Sequence, residues 1–235
     1  MRRQPLHCDR CDVRDQAACA ALAPGERLSL SRIGHHRSLG AGETLFAAGS
    51  DNGLCATLIS GALKVAAIDS DGREQILDLI HPAGFAGELF APLTSQDVIA
   101  LTDCELCVFR RSEYEQAIER FPALAKALLQ RTSRDLTQSR TLRSATSGRS
   151  SGQRVAAFLL SMARAASDSE CHPADSFDLI LSRGEIAAML GLTIETVSRK
   201  LTRLERASII ARQGARGITV LDNSRLENEA GAAEA

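Results

Sequence analysis

Three cysteines stand close together near the start of the chain. Cys8, Cys11 and Cys19 follow a C-x2-C-x7-C spacing among small and polar residues. Thiolates are soft ligands suited to zinc and to iron-sulfur clusters, and a segment this poor in apolar residues needs something else to order it, such as a bound metal centre. The chain has seven cysteines and an N-terminus, MRRQPLHCDRC, without the apolar stretch of a secretory signal. That combination points to a cytoplasmic protein with reduced thiols, and to metal or cluster ligation ahead of a disulfide frame. Zinc binding and thiol-disulfide chemistry are the alternatives. A second constellation lies near the other end, in SRGEIAAMLGLTIETVSRKLTRLER, from Ser182 to Arg206. There Ile194, Glu195, Ser198 and Arg199 share one face of a helix start that Thr193 can cap. Arg199 is suited to bidentate contact with guanine, Glu195 can accept from a cytosine or adenine amino group, and Ser198 can bond in either direction.

The elements that must position these groups are legible in outline. In the C-terminal segment, Ile186 and Leu190 mark a short amphipathic helix, Gly191-Leu192 a tight turn, and Val197, Leu201 and Leu204 the inward stripe of a second helix. Two helices joined by such a turn form either a helix-turn-helix that enters the DNA major groove or an ordinary helical hairpin. Ile209–Ala211 and Gly217–Leu221 flank RQGARG as a β-hairpin wing whose arginines can touch phosphate. Arg183, Arg199, Lys200, Arg203, Arg206, Arg212 and Arg216 outnumber Glu185, Glu195 and Glu205 in this segment, as phosphate contact requires.

Upstream, short strands alternate with Gly and Asp/Asn turns: Glu43–Ala47, Leu54–Ser60, Ala62–Ile68, then Glu74–Ile80 after the Asp71-Gly72 hairpin signal, and one long alternating strand over Val98–Phe109. This spacing predicts a small antiparallel barrel or jelly roll. Within the last strand, Cys104 shares parity with Leu106 and Val108, while Cys107 shares parity with Asp103 and Glu105. A short helix around Tyr114 and Ile118 precedes Pro122, and Ala123 to Ser144 predicts one long helix. Ala125, Leu129, Thr132, Leu136, Ser139 and Arg143 run along it as a half-apolar seam, fitted either to a marginal dimer or to packing on its own barrel. SATSGRSSG, Ser144–Gly152, reads as a linker, Arg154–Ala166 as an amphipathic helix, Phe177–Leu181 as a strand, and the tail from Ser224 as disordered. The expected organisation is therefore α+β. A cysteine-rich arm covers 1–22, a β-barrel 23–111, a dimer-helix region 112–146, a winged helix-turn-helix 147–223, and a disordered tail 224–235.

The composition excludes several classes. Hydrophobic residues make up 44% and charged residues 24%, as in globular proteins, and no run approaches the roughly 20 apolar residues of a membrane span. The net charge of −1 excludes a uniformly basic nucleic-acid coat. No Ser/His/Asp or Cys/His arrangement has enzymatic spacing, no phosphate-binding loop is present, and His35-His36 read as solvated surface. An enzyme is not expected.

The order of elements, together with GETLFAAGS, SGALKV and LSRGEIAAMLGLTIETVSRKLTRLE, resembles the Crp/Fnr family of bacterial transcription regulators, over nearly the whole chain from Cys8 to Leu221. Within the family the resemblance is to the FNR-like oxygen-sensing branch, with the wider cysteine spacing of FnrL-type members. It implies a cyclic-nucleotide-binding-like barrel, a long dimerisation helix and a C-terminal winged helix-turn-helix. It also implies a homodimeric activator that works with RNA polymerase and reads a TTGAT-N4-ATCAA type palindrome. The E-x-x-S-R base-reading set falls on Glu195, Ser198 and Arg199, and Thr193, Ile194 and Arg183 belong to the same DNA-contact set. The resemblance further implies an oxygen-labile 4Fe–4S cluster held by Cys8, Cys11, Cys19 and one distal cysteine among Cys55, Cys104, Cys107 and Cys171. Counting back from Phe121-Pro122 places the distal ligand at Cys107, in agreement with its strand parity. Ser139 stands where that branch carries an acidic residue opposing dimerisation, so its oxygen control is expected to be tuned differently. Nucleotide-binding members carry an Arg after the barrel's Gly-Glu turn. PLTSQDVIALT follows Gly87-Glu88 here without one, so no cyclic nucleotide is expected.

Overall fold

The computed structural model describes residues 4–146, 149–167, 172–214 and 216–231, with side chains further undescribed at 4, 5, 135 and 138–146. The chain divides into two compact units, Met1–Thr137 and Gln138–Ala235. The first unit begins with β1 (Gln4–Pro5) and two 3-10 turns, Cys8–Arg10 and Ala18–Ala21. It continues through α1 (Pro24–Ile33), β2 (Gly34–Leu39), β3 (Thr44–Phe46), β4 (Leu54–Ser60), β5 (Leu63–Ile68), β6 (Glu74–Ile80), β7 (Phe85–Ala86), β8 (Asp97–Ala100) and β9 (Cys104–Arg110). Helices α2 (Arg111–Arg120) and α3 (Pro122–Thr146) follow. The strands form two antiparallel sheets, ordered β1-β2-β9-β4-β7 and β3-β8-β5-β6. Leu39, Phe46, Leu58, Leu63, Leu106 and Val108 fill the space between them, each buried because alternate residues of a strand point to one face.

Two local differences from the sequence reading have plain causes. The strand expected over Val98–Phe109 is two strands in different sheets. Between them the Thr102 hydroxyl accepts the Ala62 N–H at 3.0 Å, and Leu101 N–H donates to Ala62 O at 2.9 Å, so the chain turns from one sheet into the other. Gly61 makes that approach possible: its φ is +88°, and a Cβ there would lie 2.3 Å from Asp103 O. The second difference is α1, a helix where the strand region had been expected to open. Pro24 occupies its first turn, and the Glu26 carboxylate accepts the Ala23 N–H at 2.9 Å.

The second unit contains α4 (Ser151–Ala165), β10 (Ser176–Asp178), α5 (Arg183–Leu190), α6 (Ile194–Arg206), β11 (Ile210–Gln213), β12 (Gly217–Val220) and α7 (Asn223–Glu229). Strand β12 pairs with both β10 and β11. The expected linker is shorter than Ser144–Gly152. Helix α3 continues to Thr146, and Ser150 already caps α4, accepting the Gln153 N–H while its own N–H donates to Gln153 Oε1. The tail expected to be disordered from Ser224 forms α7 instead, with only residues 232–235 outside the described part. An Asp222 cap starts it at 2.9 Å to the Arg225 N–H, Leu226 is fully buried, and the helix packs against α4. One apolar anchor in an Ala- and Glu-rich stretch carries little sequence signal, yet it suffices when α4 offers a surface. Leu226→Ala is expected to destabilise the second unit by about 2–5 kcal/mol in chemical denaturation. A loss below 0.5 kcal/mol, the range of ordinary surface substitutions, would mean that α7 is not part of that core.

Candidate functional site

Strand β9 sets the position of Cys107. Its cross-strand neighbours are His36 on β2 and Thr57 on β4. Cys104, Leu106 and Val108 point between the sheets, so Cys107 lies on the outer face. That face is covered by α1, α2 and the N-terminal arm. The arm has no core of its own, and docks instead: Val13 and Ala17 are buried with Ala83, and Leu22 joins Leu30, Phe109 and Tyr114. Docking brings Cys8, Cys11, Cys19 and Cys107 to the lining of one cavity of about 230 Å3. Among the described residues, no three His, Cys, Asp or Glu side chains are gathered to hold a single metal ion.

The electrostatics tie these thiols together. Burial pushes the Cys107 thiol well up, and the neighbouring Cys11, Cys8 and Cys19 push it further. Cys19 is raised by burial, then by Cys11 and Cys8, while Arg27 pulls it down. Cys8 is raised by burial and Cys11, again against Arg27. The neighbouring sulfurs thus oppose ionisation of Cys107, Cys19 and Cys8, which is the situation a shared cation or cationic cluster core relieves. The remaining cysteines are elsewhere. Cys104 lies inside the barrel, its Sγ donating to Ala62 O at 3.3 Å. Cys55 is fully buried, with its thiol pushed up to about 12 by burial and by Glu115. Cys171 lies outside the described residues.

Sequence reasoning missed two residues at this cavity. His36, expected on a solvated surface, is part-buried beside Cys107. Its Nδ1 is 3.3 Å from Glu105 Oε2, and Ser38 Oγ donates to Glu105 Oε1 at 2.7 Å. The signal available was register, since the strand pairing alone puts His36 opposite Cys107. Arg27, on the missed helix α1, reaches the backbone of the Cys19 turn.

In the second unit the expected helix-turn-helix is formed by α5 and α6. Ser182 and Glu185 cap α5 reciprocally, and Gly191, at φ +61°, closes it in the left-handed conformation. Arg154 Nη1 donates to Leu190 O at 3.2 Å and ties α4 to that end. Thr193 Oγ1 accepts the Thr196 N–H at 3.3 Å to start α6. Val197, Leu201 and Leu204 face the core, leaving Ile194, Glu195 and Arg199 exposed and Ser198 part-exposed, with Arg183 exposed on α5. Ser198, Arg199, Thr202, Arg203 and Arg206 line one surface groove. The Glu195 carboxyl is held low by its own backbone N–H and by Thr193, so it is an acceptor. The wing differs from expectation at one arginine. Arg212 is bonded to Glu205 through both Nε and Nη2, which leaves Arg216 as its exposed arginine. Arg203 likewise pairs with Glu229 at 3.1 Å.

On α3, Leu124 and Leu128 are buried against the barrel with Phe121. The seam points elsewhere: Ala125 is part-exposed, Thr132 exposed, and Leu129 and Leu136 are 71% and 49% exposed. The side chains of Ser139 and Arg143 lie outside the described residues. After the barrel's Gly-Glu turn, Glu88 Oε1 accepts both the N–H and the hydroxyl of Ser95, each at 2.7 Å. No helix among the described residues is long and apolar enough to cross a membrane.

Comparison with known proteins matches residues 36–121 to the cyclic nucleotide-binding domain family and residues 153–229 to the Crp-like helix-turn-helix domain family. The transcriptional activator protein FnrL of Cereibacter sphaeroides is 34% identical over 230 residues, covering 96% of this chain and 93% of that protein. The nitrogen fixation regulation protein FixK of Bradyrhizobium diazoefficiens is 31% identical over 220 residues, covering 94% and 92%. The structure of FixK2 from Bradyrhizobium japonicum superposes with a TM-score of 0.77 at 28% identity, covering 86% of this chain and all of that one.

Thiol labelling checks the two cysteine environments. Raising the Cys55 thiol from 9.0 to about 12 lowers its thiolate fraction below pH 9 by about 10^3. In the folded chain at pH 8, iodoacetamide is expected to label Cys55 at least about 10^3-fold more slowly than an ordinary thiol, with the rate rising tenfold per pH unit towards 12. Labelling of Cys55 as fast as Cys11 would contradict its burial.

Proposed function

Given that the chain belongs to the Crp/Fnr family of transcriptional regulators, which are DNA-binding proteins and not enzymes, we propose that it is an FNR-like activator. On this reading it binds a two-fold DNA site as a homodimer, controlled by an oxygen-labile 4Fe–4S cluster on Cys8, Cys11, Cys19 and Cys107. One observation carries the cluster reading: the arm and the barrel bring these four cysteines to the lining of a single cavity. Four cysteines lining one cavity form a ligand set that suits a 4Fe–4S core, with zinc as the alternative that the experiment below separates. Bound there, the cluster would supply redox chemistry that oxygen can disrupt. The chain's own residues do the rest. Cys8, Cys11 and Cys19 fasten the arm, Cys107 fastens the barrel, and Leu22, Cys19 and Cys107 share one packed cluster with Phe121 and with Leu124 and Leu128 of α3.

The exposed seam of Ala125, Leu129, Thr132 and Leu136 is the surface proposed to meet its copy in a second chain, continuing to Ser139 and Arg143. Glu195, Ser198 and Arg199 are proposed to read bases of a TTGAT-N4-ATCAA type half-site, with Thr193, Ile194 and Arg183 beside them at the groove edge. RNA polymerase is the proposed further partner and the cytoplasm the proposed location. No cyclic nucleotide is assigned a role: the turn lacks a guanidinium for its phosphate, and the Glu88 carboxylate is engaged by Ser95.

Iron and sulfide quantification of anaerobically purified protein tests the cluster. A brown protein with stoichiometric iron and sulfide, bleached by air, is expected. Cys107→Ala should abolish it and Cys104→Ala should retain it, and a colourless protein holding only zinc would sink the idea. For DNA, Arg199→Ala is expected to weaken binding by about 1–3 kcal/mol per half-site and to relax the preference at one base position. A uniform loss across all sequences in a mobility-shift titration would make Arg199 a phosphate contact instead.

A further inference from the structure

Arg27 occupies an unusual place between α1 and the arm. Its Nε donates to Cys19 O at 3.2 Å, and its Nη2 donates to Ala20 O at 3.2 Å and to Leu22 O at 3.1 Å. All three acceptors lie at the end of the 3-10 turn Ala18–Ala21, where Cys19 O also accepts the Leu22 N–H at 3.2 Å, so the guanidinium grips the turn at the point where it closes. A guanidinium suits this task because its donors are held in a rigid plane and it keeps its charge at any working pH. A lysine ammonium in the same place could not reach all three oxygens in a fixed geometry.

The same side chain lines the cysteine cavity and also the outer groove between the arm and α1, with Cys8 lining both. Among the described residues no carboxylate pairs with Arg27, whereas Arg111, Arg203 and Arg212 each have one. Its guanidinium stands in the same wall as Cys8 and Cys19, bonded to the backbone of one of them. The charge matters because four thiolates around a divalent ion or a doubly charged cluster leave net negative charge, while four protonated thiols leave none. A fixed cation at the rim therefore stabilises the assembled site over the empty one.

We propose that Arg27 is a positioning residue of the cysteine site, clamping the Cys19 turn through three backbone carbonyls and balancing the negative charge of the ligated thiolates. The charge role rests on the reading that these cysteines hold a metal centre; the clamp does not.

The test uses the full chain, reduced and metal-free under anaerobic conditions, as wild type, Arg27→Met and Arg27→Lys. The first measurement is amide hydrogen exchange at Ala20 and Leu22, whose N–H groups close the turn onto Ala17 O and Cys19 O. Losing hydrogen bonds to a charged group is expected to speed exchange there by about tenfold or more in both variants. The second measurement is Co2+ titration, read by the sulfur-to-cobalt charge-transfer absorption. Arg27→Met is expected to lower cobalt affinity by about 10–100-fold, with Arg27→Lys recovering part of the loss through its charge. Unchanged exchange in both variants overturns the clamp. Unchanged cobalt affinity, or an equal loss in both variants, overturns the charge role and leaves at most a strut. A wild-type chain that binds no cobalt defeats the ligand reading beneath the charge role, and the exchange measurement then still decides the clamp. If Arg27→Met fails to fold, Arg27→Lys alone carries both readouts, with exchange raised and affinity lowered less than tenfold.

Discussion

Strand β9 belongs to two cores at once, and the first unit depends on that. Alternation along a strand sends Cys104, Leu106 and Val108 between the sheets and turns Cys107 to the other side. The inner set holds the barrel closed. The outer face is too apolar to stand in water, because Phe109 lies on it with Tyr114 packed at 5.0 Å between ring centroids. Something must cover it, and α1, α2, the start of α3 and the N-terminal arm do so together. A one-residue slip of β9 would exchange Cys104 and Cys107 and disrupt both cores, so the register that fixes the barrel also fixes which thiol meets the arm.

The second unit solves a different problem, which is to present a helix start without letting it move. Helix α6 is held from several sides: its inward stripe packs, Arg203 reaches Glu229 on α7, and Glu205 receives Arg212 from the wing. Arg154 fixes the end of α5 just before the turn. These pairings subtract arginines from the basic face that the sequence displays, because a guanidinium committed to a carboxylate is a weak partner for phosphate. What remains outward around Ser198 is a narrower set, Arg199, Arg206 and Arg183 among it.

Much of this was legible in the sequence. The 3.6-residue spacing of Val197, Leu201 and Leu204, the Gly191 turn and the Thr193 cap are local features, and local features survive folding unchanged. The parity that separates Cys104 from Cys107 was equally local. The failures were of two kinds. Helix α1 was signalled by Pro24 and Glu26 but lay beside a run of strand-like turns, and α7 had only Leu226 to announce it. Non-local pairings left no trace at all: His36 opposite Cys107, Arg27 on the Cys19 turn and Arg212 on Glu205 require the tertiary register before they can be seen. The break at Leu101–Asp103 was hidden because apolar alternation continues on both sides of a turn that only Gly61 and Thr102 explain.

The shared core gives the proposed switch a physical route and a scale. Leu22, Cys19 and Cys107 lie in the same cluster as Phe121, Leu124 and Leu128, which seat α3, while Leu129 and Leu136 project from its other faces. Close-packed interiors have few intermediate arrangements, so displacing the arm obliges the α3 contacts to repack. The seam needs only a modest disturbance. Two exposed leucines contribute about 1.5–3 kcal/mol each when buried, and Thr132 adds little. If the proposed dimer rests on this seam, a change of a few kcal/mol in the arm's packing is enough to shift its populations severalfold or more. A fully apolar seam would hold regardless of the arm, and an unbound arm on a separate core would have nothing to act through.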